Sequence, residues 1–415
     1  MQTGLFTGET TYPKLCRVRQ HMEEREISDI PAEVKKELDT LELDASLMDK
    51  RIAITAGSRG IHNIDRIVKS VVDFVKAKGG KPFIVPAMGS HGGATAEGQR
   101  EVIRGYGISE ETMGCPVLSS MEVVQLGTIE NGAPVYFDKN AFESDGVIVV
   151  NRVKPHTDFS APNESGLVKM IAIGLGKEKG CSAMHAHGLA KSIPASAAVS
   201  LEKAPILCGL AIVENSRDHT FLLKAVKREN FLEEDAELLK LSYSLVPHLP
   251  VDALDLLIVK EIGKIFSGTG MDTKTIGRIR VRGVEEPVKP DIRGIVALRM
   301  NSHSYGNALG IGLADITTKA LVDQIDRQSM YSNLIPTTYL ERGKIPPHFE
   351  TEKDALDVAM RLFGKGADTS LIIAENTLQI ETLLVSEAVL KANPALEVLE
   401  SDISFAFDED GRLQL

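Results

Sequence analysis

The chain has 415 residues, of which 43% are hydrophobic, so it can bury a sizeable core and is long enough for two domains. Its 47 basic and 58 acidic residues give a net charge of -11, which argues against a nucleic-acid partner. No segment reaches the roughly 18 uninterrupted apolar residues of a bilayer span, and the N-terminus lacks the apolar core of a signal peptide. We therefore expect a cytoplasmic protein without a membrane partner.

Strand and helix patterns alternate from residue 51 onward. "RIAITAG" at 51–57 predicts a strand, and "IDRIVKSVVDFVKAKGG" at 64–80 predicts a helix that ends at its two glycines. "KPFIVPAMG" at 81–89 predicts the next strand. "DGVIVVNRV" at 145–153 is apolar at consecutive positions, as a strand covered on both faces should be. This order predicts an α/β fold with mostly parallel sheets.

The segment "VPHLPV" at 246–251 indicates a joint between domains, because it has two prolines and follows a charged helical stretch. A second α/β series begins after it with "LDLLIVKEIG" at 254–263. We therefore predict an N-terminal α/β domain over residues 1–248, a C-terminal α/β domain over residues 249–415, and a cleft between the two. The sequence does not determine the number of subunits.

A glycine-rich turn, "GSHGGAT" at 89–95, directly follows a predicted strand. Open α/β sheets bind ligands at such positions. Thr95 can cap the helix that begins near Ala96, and the bare glycines let a ligand approach backbone N–H groups. His91 projects from this turn among small residues, which favours a functional role over that of a packed core histidine.

Two further side chains follow apolar strands. "NRVKPHTDF" at 151–159 places His156 after Pro155, and two imidazoles with pKa values of about 6.5 suit reversible proton transfer, one as base and the other as acid. The structural alternative for His156 is a hydrogen-bonded loop histidine. Arg59, in the turn "AGSRG", could bind a carboxylate through its bidentate guanidinium, or it could be a surface arginine.

The stretch "KMIAIGLGKEKGCSAMHAHG" at 169–188 combines an apolar run with lysines and histidines. Lys169 enters the apolar run, where desolvation would make its amine nucleophilic, although a lysine whose amine extends to solvent is the plainer alternative. Lys177 and Lys179 are expected at a solvated corner. His185 and His187 form an H-x-H pair whose imidazoles could bind zinc, copper or nickel.

The order and spacing of Arg59, His91, His156, Lys169 and His185 together resemble the pattern of the nickel-pincer-nucleotide lactate racemase family. The resemblance covers nearly the whole chain and is strongest from about residue 51 to 190. It implies a cofactor that consists of nickel and pyridinium-3,5-bisthiocarboxylic acid mononucleotide. His185 would be the imidazole ligand of nickel, with His187 as the weaker candidate, and Lys169 would tether the cofactor. The glycine-rich turn would bind the cofactor through Gly89, Ser90, Gly92, Gly93 and Thr95.

The implied reaction is inversion at C2 of a 2-hydroxy acid by hydride transfer to the cofactor and back. His91 and His156 would alternate as base and acid, and Arg59 would hold the substrate carboxylate. In the C-terminal domain "EIGK" at 261–264 corresponds to the Q-x-x-K of the family, so Glu261 and Lys264 would complete the substrate cleft.

The sequence departs from the family pattern at several points. Ala56 stands where the family has an acidic residue, Glu261 replaces glutamine, and three extra residues separate His156 from Lys169. The chain also has no tryptophan to form a wall of the pocket. A larger or more polar 2-hydroxy acid is therefore at least as good a candidate substrate as lactate.

Two other functions are compatible with these motifs. The first is a non-catalytic protein that binds a nucleotide cofactor through the same loops. The second is a zinc hydrolase built on His185 and His187. Metal analysis would distinguish the zinc hydrolase, which should contain zinc without nickel. A non-catalytic protein should still bind the cofactor without His91 and His156, and it has no turnover to lose.

Overall fold

The computed structural model describes residues 10–43, 47–58, 60–157 and 159–415. The chain divides into two compact units, one formed by Glu23–Val246 and the other by the described residues up to Met22 together with Pro247–Leu415. The sequence places residues 10–22 with the first domain, whereas strand β1 (Leu15–Arg19) pairs in the sheet of the second unit. This pairing joins segments far apart in the chain, so no local pattern encodes it.

The unit of residues 23–246 contains a five-stranded sheet and a separate hairpin. Its strands are β2 (Arg51–Ala56), β3 (Lys81–Pro86), β4 (Val123–Thr128), β5 (Pro134–Asp138), β6 (Gly146–Arg152), β7 (Ile206–Glu214) and β8 (Thr220–Lys227). The sheet has the order β3-β2-β6-β7-β8, with only β8 antiparallel to its neighbour. Strands β4 and β5 form the hairpin.

The helices of this unit flank the sheet and the hairpin. They are α1 (Ile30–Asp39), α2 (Ile64–Ala77), α3 (Ala96–Gly105), α4 (Glu110–Met113), α5 (Lys139–Phe142), α6 (Leu167–Lys169), α7 (Lys177–Ala186), α8 (Leu189–Lys203) and α9 (Phe231–Leu245). Short 3₁₀ turns occur at Gly92–Ala94 and Arg228–Asn230, and a π-helical turn at Met170–Gly174. The helix predicted over residues 64–80 is α2, and Gly79 follows it with a positive φ of 78°.

Apolar residues of the central strands alternate between two cores. Ile52 and Ile148 face the core that contains α1 and α2, whereas Ala53 and Val147 face the core that contains α6, α8 and α9. Because both faces of the sheet are covered, the strands are apolar at consecutive positions. The predicted α/β class is confirmed.

The second unit contains an eight-stranded mixed sheet of order β12-β11-β10-β9-β13-β14-β1-β15. Besides β1, its strands are β9 (Ala253–Ile262), β10 (Asp291–Met300), β11 (Ile316–Thr318), β12 (His348–Phe349), β13 (Leu371–Ala374), β14 (Thr382–Ser386) and β15 (Glu397–Ile403). Strands β9 to β13 run parallel, and β14, β1 and β15 pair antiparallel.

The helices of the second unit are α10 (Lys319–Val322), α11 (Arg327–Thr337), α12 (Glu352–Phe363) and α13 (Glu387–Ala392). Short 3₁₀ turns occur at Ser302–Ser304, Ile311–Leu313 and Leu340–Gly343. Within the described part of either unit, no helix combines the length and apolarity needed to cross a lipid bilayer.

Candidate active site

The order of the five-stranded sheet reverses between β2 and β6. The chain continues from β2 to β3 on one side and from β6 to β7 on the other. Open α/β sheets bind ligands beyond the carboxyl ends of their strands at such a reversal. The segments that follow β2, β3 and β6 carry Ser58, His91 and His156, so the sheet topology brings both predicted histidines to one edge.

His91 lies in a tight loop between β3 and α3. Its Nδ1 atom lies 2.5 Å from Oγ of Ser58, which orients the imidazole ring. Gly92 has a φ of 66°, and a Cβ atom there would lie 2.6 Å from the backbone nitrogen of Gln99, so this position requires glycine. As predicted, Thr95 caps helix α3 and accepts a hydrogen bond from the Gly98 backbone at 3.0 Å.

Arg59 lies outside the described residues, but both of its neighbours are held in place. The Tyr106 hydroxyl donates to the Ser58 carbonyl at 2.9 Å. The Arg152 guanidinium donates to the Gly60 carbonyl at 3.3 Å and forms a largely buried ion pair with Glu214. The loop between β2 and α2 is therefore anchored on each side of the predicted carboxylate-binding arginine.

The loop that carries His156 is organised by a buried carboxylate. Glu164 accepts hydrogen bonds from the backbone nitrogens of His156 at 2.6 Å and Ala161 at 3.0 Å. The Tyr243 hydroxyl donates to the same carboxylate at 2.8 Å. The His156 ring centroid lies 4.6 Å from that of Phe159. These contacts fix the backbone at His156 and limit the positions of its ring.

Lys169 is the last residue of helix α6, and Asp235 caps the first turn of this helix. The Asp235 carboxylate accepts hydrogen bonds from the Leu167 backbone at 2.6 Å and from Nδ2 of Asn163 at 3.2 Å. A Cβ atom at Gly166 would lie 2.0 Å from this carboxylate, so only glycine allows the approach. Lys169 is half-buried and precedes the buried π-helical turn, as its position in the sequence predicts.

Asp235 gives the unit a dependence of stability on pH. Burial raises the pKa of Asp235 to about 6, although hydrogen bonds from Asn163 and the Leu167 backbone lower it. Between about pH 4 and 6 the folded state therefore binds a proton that the unfolded state does not. We therefore expect the free energy of unfolding to fall by about 3 kcal/mol as the pH rises from 4 to 6, because Asp235 loses this proton.

Chemical denaturation at several pH values, compared between the wild-type protein and Asp235→Asn, measures this contribution. Because asparagine does not titrate, the stability difference between the two proteins should change only as Asp235 gains or loses its proton. A difference that stays constant from pH 4 to 7 would contradict the assignment.

His185 and Cys181 lie one turn apart on α7, and Cys181 contacts the His91 loop. Oγ of Ser90 lies 3.6 Å from Sγ of Cys181, which also hydrogen-bonds to His185. Burial acts to raise the pKa of Cys181, but hydrogen bonds to His185 and Ser90 outweigh it, so the net shift is downward. His187 instead hydrogen-bonds through Nδ1 to the Ala183 carbonyl at 2.9 Å. Of the two imidazoles, the contacts of His185 link it to the predicted site.

The sequence did not point to Cys181 as a site residue. One signal was available, because Cys181 precedes His185 by four residues and such spacing puts two side chains on one helical face. The His91 loop and the turn after β2 also contact the helical region that follows Lys169. The Gly89 nitrogen donates to the Gly174 carbonyl at 3.2 Å, and Gly57 packs against the side chain of Met170.

Part of the chain matches a known protein family. Residues 19–197 match the model of the lactate racemase N-terminal domain. Residues 19–197 therefore form a domain of the lactate racemase N-terminal type. A domain of this type indicates an isomerase of the racemase type. Among curated proteins, none matches the chain.

Two solved structures share the fold of this chain. The lactate racemase apoprotein from Thermoanaerobacterium thermosaccharolyticum is 13% identical, with a TM-score of 0.54 over 88% of this chain and 99% of that chain. A crystal structure of a protein from Thermotoga maritima is 14% identical, with a TM-score of 0.51 over 78% of this chain and 83% of that chain. At such low identity these likenesses establish the fold alone.

The described residues fit the cofactor that the lactate racemase resemblance implies. A half-buried amine at Lys169 and an exposed imidazole at His185 lie on successive helical segments. A Cβ atom at Gly89 would lie 3.1 Å from Ile173 and 3.3 Å from Cys181, whereas at Gly93 it would meet nothing within 4 Å. The loop thus packs against the helical segment and still leaves bare backbone for a ligand.

A zinc hydrolase would need three side-chain ligands for its metal. In residues 10–43, 47–58, 60–157 and 159–415, no group of three His, Cys, Asp or Glu side chains could hold a metal ion. The described side chains therefore do not form the three-ligand site that this alternative needs.

Lys177 does not lie at the solvated corner that the sequence predicts. Its side chain is fully buried and pairs with the equally buried Asp138 at 3.1 Å, whereas Lys179 is exposed as expected. Burial lowers the pKa of Lys177, and the Asp138 carboxylate opposes that shift. The polar residues of "GKEKG" around Lys177 indicate a surface turn. The local sequence does not indicate burial, because the partner that stabilises this charge lies in another element.

Glu261 and Lys264 lie at the carboxyl end of β9, in the other unit. Nδ2 of Asn301 donates to the Glu261 carboxylate at 2.9 Å. Nζ of Lys264 donates to the Gly268 carbonyl at 2.7 Å. The order of the eight-stranded sheet reverses between β9 and β13, so both residues also lie at the kind of edge where α/β sheets bind ligands.

Proposed function

We propose that this protein is a nickel-dependent racemase or epimerase of a 2-hydroxy acid. One observation carries the proposal. Two loops that bear histidines follow β3 and β6, on either side of the strand-order reversal, in a chain with a lactate racemase N-terminal domain. Inversion of a 2-hydroxy acid needs a proton acceptor and a proton donor for the hydroxyl group, and two imidazoles can exchange these roles at neutral pH.

Residues of the glycine-rich loop and of α6 and α7 would hold the cofactor. Lys169 would tether it through its amine, and His185 would bind nickel through its imidazole, a suitable donor for this metal. Gly89, Ser90, Gly92, Gly93 and Thr95 would contact it along the loop. When bound, the nickel-pincer nucleotide would supply a reversible hydride acceptor for C2 of the substrate.

The chain's own residues would bind the substrate and move its hydroxyl proton. Ser58 contacts Nδ1 of His91, so proton exchange would use Nε2 of that ring. His156 would serve the opposite enantiomer, held by the backbone contacts of Glu164. Arg59 would bind the substrate carboxylate, and Glu261 and Lys264 would also contact the substrate.

The substrate would be a 2-hydroxy acid larger or more polar than lactate. A carboxylate at Glu261 accepts hydrogen bonds where glutamine could also donate them, so it suits an additional hydroxyl group on the substrate. It would also repel a second carboxylate of the substrate. These properties favour a substrate with one carboxylate and further hydroxyl groups.

A test of this function uses cofactor-loaded protein and one enantiomer of a 2-hydroxy acid that carries deuterium at C2. We expect the opposite enantiomer to appear with the deuterium retained, because a hydride returned directly does not exchange with water. Chiral chromatography coupled to mass spectrometry measures both quantities. Extensive loss of deuterium to solvent would contradict the hydride mechanism.

The variants His185→Ala and His187→Ala provide the matched comparison for this test. The first should lose both the nickel content and the activity of the loaded protein, because it removes the proposed ligand. The second directly follows the same helix and should retain both. Equal nickel content in the two variants would contradict the role of His185.

A further inference from the structure

The ammonium group of Lys177 contacts oxygen atoms from three other segments of the chain. It donates to the Pro86 carbonyl at the end of β3 and to Oε1 of Gln99 at 3.2 Å, and it forms an ion pair with Oδ2 of Asp138 at 3.1 Å. The carboxylate of Asp138 beside it favours the charged form of this amine. The side chain is fully buried, and Asp138 caps helix α5 through the Ala141 backbone at 2.9 Å.

Gln99 connects this ammonium to the loop that carries His91. Its Nε2 atom donates to the Gly89 carbonyl at 2.8 Å and to the His91 carbonyl at 3.2 Å. Its Oε1 atom accepts from Lys177 at 3.2 Å. The side chain is fully buried. Its amide nitrogen nevertheless meets two acceptors and its amide oxygen meets a donor.

The ammonium determines which way the amide of Gln99 points. A glutamine amide can rotate to exchange its oxygen and nitrogen, but rotation here would turn its N–H groups toward the ammonium and its oxygen toward two carbonyls. A buried clash of this kind leaves polar groups unsatisfied, so the present orientation is strongly preferred. The two donated hydrogen bonds then hold the backbone on both sides of Ser90.

We propose that Lys177 and Gln99 are positioning residues that hold the His91 loop in the geometry needed for proton transfer. The proposal rests on the proposed catalytic role of His91. In this arrangement Lys177 touches neither substrate nor cofactor, and it acts through Gln99. The chain Asp138, Lys177, Gln99, His91 links the hairpin strand β5 to the loop beyond β3.

Gln99→Glu separates positioning from general stability. The glutamate keeps an acceptor for Lys177 and nearly the same size, but it presents an oxygen, not an N–H group, to the carbonyls of Gly89 and His91. We expect the rate at which diethyl pyrocarbonate acylates His91 to rise about 3-fold or more, because the loop is released. Peptide mass spectrometry measures this rate, with His156 in the same sample as an internal reference whose rate should not change.

Two more variants complete the experiment. Gln99→Asn keeps the amide but shortens it by one methylene, so it should raise the His91 rate in the same way. Glu97→Gln changes an exposed residue of the same helix and should leave the rate unchanged. In cofactor-loaded protein, Gln99→Glu should lower kcat and leave KM unchanged, because the loop carries the base and not the substrate-binding arginine.

Unchanged acylation of His91 in both Gln99 variants would overturn the proposal, and so would failure of both to fold, since their role would then be purely structural. A changed His91 rate combined with full activity of His91→Ala would leave the positioning intact and refute the proposed function of His91. The two failures are therefore distinguishable.

Discussion

Replacing either His91 or His156 by alanine should lower the turnover of the cofactor-loaded protein by about 10²–10⁴-fold, the usual contribution of a general acid or base. Without one imidazole, the hydroxyl proton of one enantiomer has no acceptor, and the reverse reaction lacks a donor. Neither histidine is proposed to hold the cofactor, so its absorbance spectrum should be unchanged. Steady-state kinetics and the spectrum of each variant measure the two properties.

The two variants should also differ from each other. Each histidine is proposed to serve one enantiomer, so in a single turnover each variant should still remove the C2 hydrogen from the enantiomer that its remaining histidine serves. Full activity of either variant would contradict the assignment of two bases. A wild-type protein that binds the cofactor but shows no turnover would instead support the non-catalytic alternative.

The sequence predicts the histidine loops well because their signals are local. His91 and His156 each follow an apolar strand within a few residues, and a strand's carboxyl end is where an α/β sheet presents its loops. Thr95 caps its helix for an equally local reason, since the capping hydroxyl and the backbone it binds are three residues apart. Such features need no knowledge of the rest of the chain.

Features that depend on distant partners were not predicted. Strand β1 lies in the second unit because it pairs with β14 and β15, near the other end of the chain. Lys177 is buried because Asp138 and Gln99 meet it from two other elements. Cys181 gains its partners partly from the His91 loop. In each case the decisive contact is formed by folding, and the residues next to it in sequence resemble those of a surface segment.

Breaking the buried ion pair should have the largest effect on stability. Lys177→Met is expected to lower the free energy of unfolding by about 3–5 kcal/mol, because it leaves the Asp138 carboxylate buried without its counterion. Lys179→Met, two residues away on an exposed side chain, is the matched control and should change stability by no more than about 0.5 kcal/mol. Chemical denaturation followed by circular dichroism measures both changes.

A double-mutant cycle shows whether the cost comes from the pair. Asp138→Asn can keep the cap on helix α5 while removing the charge, and it should also destabilise the protein because Lys177 loses its counterion. Once one charge is gone, removal of the other relieves an unpaired buried ion. The double variant should therefore be more stable than the sum of the single effects predicts, by about 1–3 kcal/mol. Strict additivity would show that the two charges do not stabilise each other, and the charged form of Lys177 that orients Gln99 would lose its physical basis.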